Sequence, residues 1–224
     1  MKVVCIVSSA GRGKRLGLRK DKPFVLLGKR PILEHTLKVL NKNKFIDKIV
    51  LVVSRSRINT SKKLVKKYNL NKVTDIIQGG RRRFDSVRNG LRKIKDADII
   101  LIHDGVRPFV DDALIKRVIL SASKFKAAVP AIPSKQTIKR IDRRFFVKKT
   151  PDRKFLWEAQ TPQGFQRDLI LKAYKKSKDK NPTDDSSLVE KMGHRVKIVK
   201  GAYKNLKITT REDLNIAKVY INKK

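Results

Sequence analysis

The decapeptide Ser8-Ser9-Ala10-Gly11-Arg12-Gly13-Lys14-Arg15-Leu16-Gly17 follows the apolar run Val3-Val4-Cys5-Ile6-Val7 near the start of a 224-residue chain. A strand that opens into a turn of small residues frees backbone N–H groups, and such groups hold phosphate oxygens. Two common phosphate loops do not fit. The dinucleotide fingerprint needs a third glycine where Leu16 stands, and Ser54-Arg55, at the end of the second apolar run, offers no acidic residue to hold a ribose. A Walker A loop needs Ser or Thr after Gly-Lys, but Arg15 follows Gly13-Lys14. What remains is a set of N–H groups at Ala10, Gly11 and Gly13, with cations at Arg15 and Lys22, which together read as a triphosphate clamp.

No side-chain nucleophile accompanies this loop. The single cysteine, Cys5, sits inside the apolar run and reads as a buried structural thiol. No Ser-His-Asp or Cys-His arrangement is found, and neither His35 nor His194 lies in a recognisable motif. The formal charge of +37 invites a nucleic-acid reading. Its distribution argues against one, because the basic excess is +12, +8, +12 and +5 across residues 1–60, 61–120, 121–180 and 181–224. Charge spread so evenly reads as solvated surface rather than a dedicated patch. No run of about 18 uncharged apolar residues occurs, so we expect a cytoplasmic protein without a membrane partner.

The elements that must position the loop follow from apolar spacing. Strand-length runs recur at 3–7, 48–54, 72–77, 98–103, 127–132 and 195–199, and helical spacing occupies 31–40, 60–68, 83–94, 111–125, 167–176 and 186–192. Alternation of this kind predicts an α/β fold: one domain spanning residues 1–224, with a doubly wound, mostly parallel sheet and its ligands beyond the carboxyl ends of the strands. One region breaks the rule. Residues 134–155 alternate polar and apolar around a turn near Asp142-Arg143 and predict a protruding β-arm. Leaving Ile138, Ile141, Phe145, Phe146 and Val147 in water would cost about 1.5–3 kcal/mol for each large side chain, so the arm is expected to pack on a second copy in a homodimer.

Five motifs in order carry a resemblance: Ala10-Gly11-Arg12-Gly13-Lys14-Arg15 with Lys22, Gly79-Gly80-Arg81-Arg82-Arg83-Phe84-Asp85-Ser86-Val87, His103-Asp104-Gly105-Val106-Arg107-Pro108, Thr161-Pro162-Gln163-Gly164-Phe165, and Thr183-Asp184-Asp185. With the closing unit around Lys207-Ile208-Thr209, the chain resembles the 2-C-methyl-D-erythritol 4-phosphate cytidylyltransferase family from end to end. The resemblance implies a Rossmann-like nucleotidyltransferase that joins CTP to a polyol phosphate with Mg2+ as cofactor. It implies that Arg15 and Lys22 stabilise the transition state, that Ala10, Gly11 and Gly13 hold the triphosphate, and that Gly79, Gly80 and Ser86 read the cytosine. It suggests that Asp104 and Arg107 contact substrate hydroxyls or the metal shell, and it points to Thr137, Arg153, Thr161, Thr183 and Lys207 as contacts for the alcohol phosphate, with Thr137 and Arg153 reaching a partner's site from the arm if the arm crosses between subunits. No residue is assigned as a metal ligand. Ser8-Ser9, Arg81 and Gly105-Val106 depart from common family patterns, but no charged catalytic position is lost. Two other readings are a ribitol-5-phosphate cytidylyltransferase and, from another class, a nucleic-acid-binding module on the same scaffold.

Overall fold

A computed structural model of the protein describes residues 1–11, 21–179 and 181–222. The elements run β1 (Val3–Ser9), β2 (Leu26–Leu27), β3 (Arg30–Pro31), α1 (Ile32–Lys42), β4 (Lys48–Val53), α2 (Ile58–Lys67), β5 (Val73–Gln78), α3 (Arg83–Leu91) and β6 (Ile99–Asp104). They continue with α4 (Asp112–Phe125), β7 (Ala127–Pro133), β8 (Arg140–Ile141), β9 (Val147–Lys149), β10 (Trp157–Ala159), β11 (Gln163–Gln166), α5 (Arg167–Lys176), α6 (Ser186–Glu190), β12 (Lys197–Lys200) and α7 (Arg211–Asn222).

Strand β1 is central to the sheet because both of its faces are apolar. Val3, Cys5 and Val7 pack with Leu33, Leu37 and Leu40 of α1 and with α4, while Val4 and Ile6 pack with Phe84 and Val87 of α3 and with α5. The i, i+4, i+7 spacing of Leu33, Leu37 and Leu40 makes α1 amphipathic and fixes which side it shows to the sheet. Strands β4 and β6 flank β1 in parallel, and β5 runs parallel on the far side of β4. Gly90 lies within α3, where glycine weakens a helix by roughly 1 kcal/mol. A Cβ there would stand 2.8 Å from Ile6 Cγ2, so glycine is what lets α3 approach β1.

The predicted doubly wound α/β arrangement is therefore present, and the second half departs from simple alternation. Strand β11 inserts antiparallel between β6 and β7, β10 pairs antiparallel with the end of β7, and β12 pairs parallel with β7. The last predicted strand shifts to Lys197–Lys200, and the helix expected to reach residue 94 ends at Leu91. Helix α7 closes the carboxyl side of the sheet by placing Ala217, with Ile208 ahead of it, against Leu27, Ile32, Val106 and Phe109.

The arm forms as a β8–β9 hairpin in which Asp142 Oδ1 accepts from the Arg144 and Phe146 N–H groups at 2.9 and 3.0 Å. Its apolar residues stay exposed in a single chain, from Ile138 at 42% to Phe145 at 83%. Among the described residues, no helix is long and apolar enough to cross a membrane.

Candidate active site

The parallel strands β1, β4, β5 and β6 deliver their carboxyl ends to a cleft of about 820 Å³. Ala10 and Gly11 line one wall, Gly79, Gly80 and Ser86 another, and Asp104 and Lys207 a third. Its charge is lopsided. Among the described residues of its lining, Lys22, Arg55, Arg81, Arg82, Arg83 and Lys207 stand with one carboxylate, Asp104, while Asp85 and Asp185 pair with Arg82 and Arg83 from outside the lining, so the cleft keeps a positive excess that suits a polyanion. Gly13 and Arg15 lie outside the described residues.

The glycine wall is built by close approach. Gly79 donates its N–H to Val53 O at 2.8 Å, and Gly80 donates to Ser86 Oγ at 3.1 Å. Ser86, which is buried, passes its own proton to Arg82 O at 3.1 Å. Its hydroxyl thus locks the turn that carries the wall. A Cβ on Gly79 would collide with Ala10 Cβ and stand 2.8 Å from Ser86 Oγ. Gly79→Ala is expected to weaken nucleotide binding about tenfold or more by spreading the two walls. Titration calorimetry with CTP measures this, and unchanged affinity would count against the turn as part of the nucleotide site.

Asp104 is the electrostatic centre of the floor. Its Oδ2 lies 2.8 Å from Lys207 Nζ and 3.6 Å from Arg107 Nε, and its Oδ1 lies 3.6 Å from Arg83 Nε. Burial alone would raise the pKa of this carboxyl. The nearby cations, Lys207 first and then Arg83 and Arg107, outweigh burial and hold it well below the usual carboxylate range. Lys207 is brought there because the next residue, Ile208, donates its N–H to Val106 O at 3.0 Å just past the end of β6.

Beneath Asp104 lies a layer that supports the floor without lining the cleft. Thr161 Oγ1 accepts from the Asp104 N–H at 3.1 Å and lies 3.0 Å from His103 Nδ1. His103 Nε2 lies 3.2 Å from Arg107 O, so the consistent tautomer carries its proton on Nε2 and accepts the Thr161 hydroxyl at Nδ1. Arg107 in turn donates through Nη1 to Asn205 O at 2.7 Å, and Asn205 Nδ2 donates to Thr161 O at 2.8 Å.

Burial lowers the His103 pKa to about 4. An unfolded imidazole titrates near 6.5. Between these values the unfolded chain binds a proton that the folded chain refuses, so stability falls as pH drops from 6.5 toward 4, by about 3 kcal/mol in all. In His103→Gln this part of the slope should vanish. Urea unfolding of both proteins at pH 7 and pH 4.5 checks it, and equal slopes would overturn the assignment.

Some sequence-predicted residues stand apart. Thr183 is exposed and does not line the cleft. Thr137 and Arg153 are exposed on the arm segment, where Arg153 Nη1 donates to Lys135 O at 3.1 Å, and neither lines the cleft of its own chain. Conversely, Arg83 lines the cleft but was not singled out by the sequence, because it is the third of three consecutive arginines. It is distinguished by its partner: Arg83 Nη1 and Nη2 form a fork on Asp185 at 2.9 and 2.6 Å, across 102 residues of sequence.

A doubly wound sheet with Ala10 and Gly11 just past its first strand and a cationic, glycine-walled cleft at its strand ends suits a nucleotidyltransferase. The family model described as IspD, 2-C-methyl-D-erythritol 4-phosphate cytidylyltransferase, matches residues 3–223, and the chain belongs to that family. A protein of this name from Alkaliphilus metalliredigens (strain QYMF) is 41% identical over 227 residues, covering 100% of this chain and 94% of the relative. One from Clostridium novyi (strain NT) is 46% identical over 212 residues, covering 93% and 92%. The crystal structure of 4-diphosphocytidyl-2C-methyl-D-erythritol synthase from Anaerococcus prevotii DSM 20548 superposes with a TM-score of 0.88 at 35% identity, covering 99% of this chain and 96% of that one.

Proposed function

We propose that this chain joins CTP to 2-C-methyl-D-erythritol 4-phosphate, giving CDP-methylerythritol and pyrophosphate. The family match over residues 3–223 carries the reading, and the single-carboxylate cationic cleft is the physical feature that agrees with it. The ribitol-5-phosphate reading is not favoured by that match.

The chemistry asks little of the side chains as acids or bases. An acceptor phosphate oxygen, already ionised at neutral pH, attacks the α-phosphorus of CTP, and the bond from that phosphorus to the bridging oxygen breaks as pyrophosphate leaves. Two anions must meet, so the protein's task is to align them and neutralise charge. Ala10 and Gly11, with Gly13, cradle the triphosphate. Lys22 and Arg15 oppose charge at the α-phosphate, and Gly79, Gly80 and Ser86 frame the cytosine. Asp104 accepts from an acceptor hydroxyl, and Lys207 faces the acceptor phosphate. The bonds made by Arg107 and Thr161 make them props of Asp104 and of the Asn205 loop. Thr137 and Arg153 serve the cleft of a partner through the arm.

Among the described residues no three His, Cys, Asp or Glu side chains converge on a metal position. Among the described residues lining the cleft, Asp104 is the one carboxylate, and it could meet an ion arriving on the nucleotide, which suits Mg2+, since that ion commonly pairs one or two carboxylates with substrate phosphates. Bound there, Mg2+ would supply neutralisation of the triphosphate oxygens.

Pyrophosphate release tests the reading. Turnover is expected with CTP and methylerythritol phosphate, far less with ATP or GTP or with ribitol 5-phosphate, and none after chelation. Equal use of purine triphosphates, or preference for ribitol phosphate, would overturn it.

A further inference from the structure

We propose that Asp185 is a positioning residue for the acceptor side of the cleft: it holds the Arg83 guanidinium away from Asp104 and leaves that carboxylate to Lys207 and substrate. The inference rests on the reading of Asp104 and Lys207 as the acceptor's contacts.

Arg83 faces two carboxylates and divides itself unequally between them. Both terminal nitrogens engage Asp185, at 2.9 and 2.6 Å, whereas its Nε stays 3.6 Å from Asp104 Oδ1, too long for a hydrogen bond. Asp185 is completely buried and is itself fixed from three directions. Its Oδ1 accepts the Tyr174 hydroxyl at 2.6 Å, its N–H donates to Gln163 Oε1 at 3.1 Å, and its carboxylate takes the arginine fork. Tyr174 stacks on Phe84, the neighbour of Arg83, with ring centroids 4.7 Å apart. The brace therefore joins the start of α3 to α5 and to the residue preceding α6. A bidentate, charge-assisted fork is strong and directional, so it decides where the guanidinium rests.

Remove the charge of Asp185 and that competition changes sign. Asp104 is then the carboxylate left facing Arg83, and the guanidinium has only to close from 3.6 Å to turn a loose ion pair into a direct hydrogen bond. The pair would occupy Oδ1, the oxygen that Lys207 leaves open. Asp185 thus acts on the reaction through Arg83, without touching substrate.

The test compares Asp185→Asn with the double variant Arg83→Gln/Asp185→Asn, which removes the displaced cation as well. In Asp185→Asn the acceptor KM should rise about tenfold or more while the CTP KM changes little. The double variant should recover part of that loss, since removing Arg83 also takes one cation from the cleft. A purely structural Asp185 predicts the reverse, a double variant at least as impaired as the single one. A crystal structure of Asp185→Asn gives a readout independent of turnover: Arg83 is expected in hydrogen-bond contact with Asp104, and an unmoved Arg83 would overturn the proposal. Should Asp185→Asn fail to fold, Tyr174→Phe takes its place by removing one of the bonds that fix the Asp185 carboxylate: a raised acceptor KM with an unchanged CTP KM supports the proposal, and an unchanged acceptor KM sinks it. Wild-type protein that turned over CTP with no polyol phosphate would instead defeat the functional reading, leaving the crystallographic test of the brace intact.

Discussion

Lys22→Ala is expected to lower the maximal rate by about 30- to 1000-fold, a loss of about 2–4 kcal/mol of barrier reduction, with much smaller changes in either KM. Negative charge is most concentrated on the α-phosphoryl oxygens when the acceptor oxygen and the leaving oxygen both press on the phosphorus. A cation placed there stabilises the transition state more than it stabilises bound CTP, so its removal falls on turnover. Lys22 is suited to the role because its backbone is anchored. It opens a single helical turn, Lys22–Phe24, directly after Asp21. Asp21 Oδ2 takes the Arg57 Nε at 2.7 Å and the Ser54 hydroxyl at 3.4 Å, and the Arg57 guanidinium lies 5.2 Å from the Phe24 ring centre. The turn is thereby pinned to the chain just beyond β4, and Lys22 lines the cleft. Arg15→Ala is expected to show a loss of similar size. Steady-state kinetics with both substrates varied checks both, and a Lys22→Ala enzyme with normal turnover would refute the catalytic assignment.

How much of this was legible in the sequence depends on whether the signal was local. Strand β1 announces itself because every residue from Val3 to Val7 is apolar, as a strand buried on both faces must be. Helix α5 lies where its pattern put it, since Leu169, Ile170, Ala173 and Tyr174 recur at helical spacing and all four are buried. The segment 157–166 gave no such signal. Strand β11 contains Gln163 and Gly164, poor strand formers by composition, and is held by its two neighbours in the sheet rather than by its own propensity. Its glycine is explained only by packing, because a Cβ on Gly164 would lie 2.7 Å from Val118 Cγ1. The site divides in the same way. Gly79, Gly80 and Asp104 stand at strand ends, where a doubly wound sheet gathers ligands, whereas Lys207 lies in the loop between β12 and α7 and is pointed to by the family resemblance alone. The arginine that matters among Arg81, Arg82 and Arg83 is not marked in the sequence, because its distinguishing partner is Asp185, and pairing across 102 residues leaves no trace in local spacing. Ser86, which the resemblance places at the cytosine, is buried, and its hydroxyl locks the turn, a role that spacing alone does not announce.

Arg153→Ala should leave the maximal rate far less affected than Lys22→Ala while raising the acceptor KM strongly, and its defect should be repaired by another subunit. The arm leaves Phe145 and Phe146 largely exposed, and Arg153 beside it donates to Lys135 O and does not line its own cleft. Apolar surface of that size is covered at low cost by a second copy, and a symmetric pairing would carry each arm toward the other chain's site. A Lys22→Ala chain has a damaged cleft and an intact arm, and an Arg153→Ala chain the converse. A heterodimer of the two then holds one site with both parts intact and one with neither. If subunits exchange freely, half the dimers are mixed, so about a quarter of all sites regain full function. Mixing the two impaired proteins should restore activity toward that fraction over the time of exchange, followed by pyrophosphate release at saturating CTP and limiting acceptor. No recovery, with exchange demonstrated by fluorescence transfer between labelled chains, would show that each arm serves its own chain.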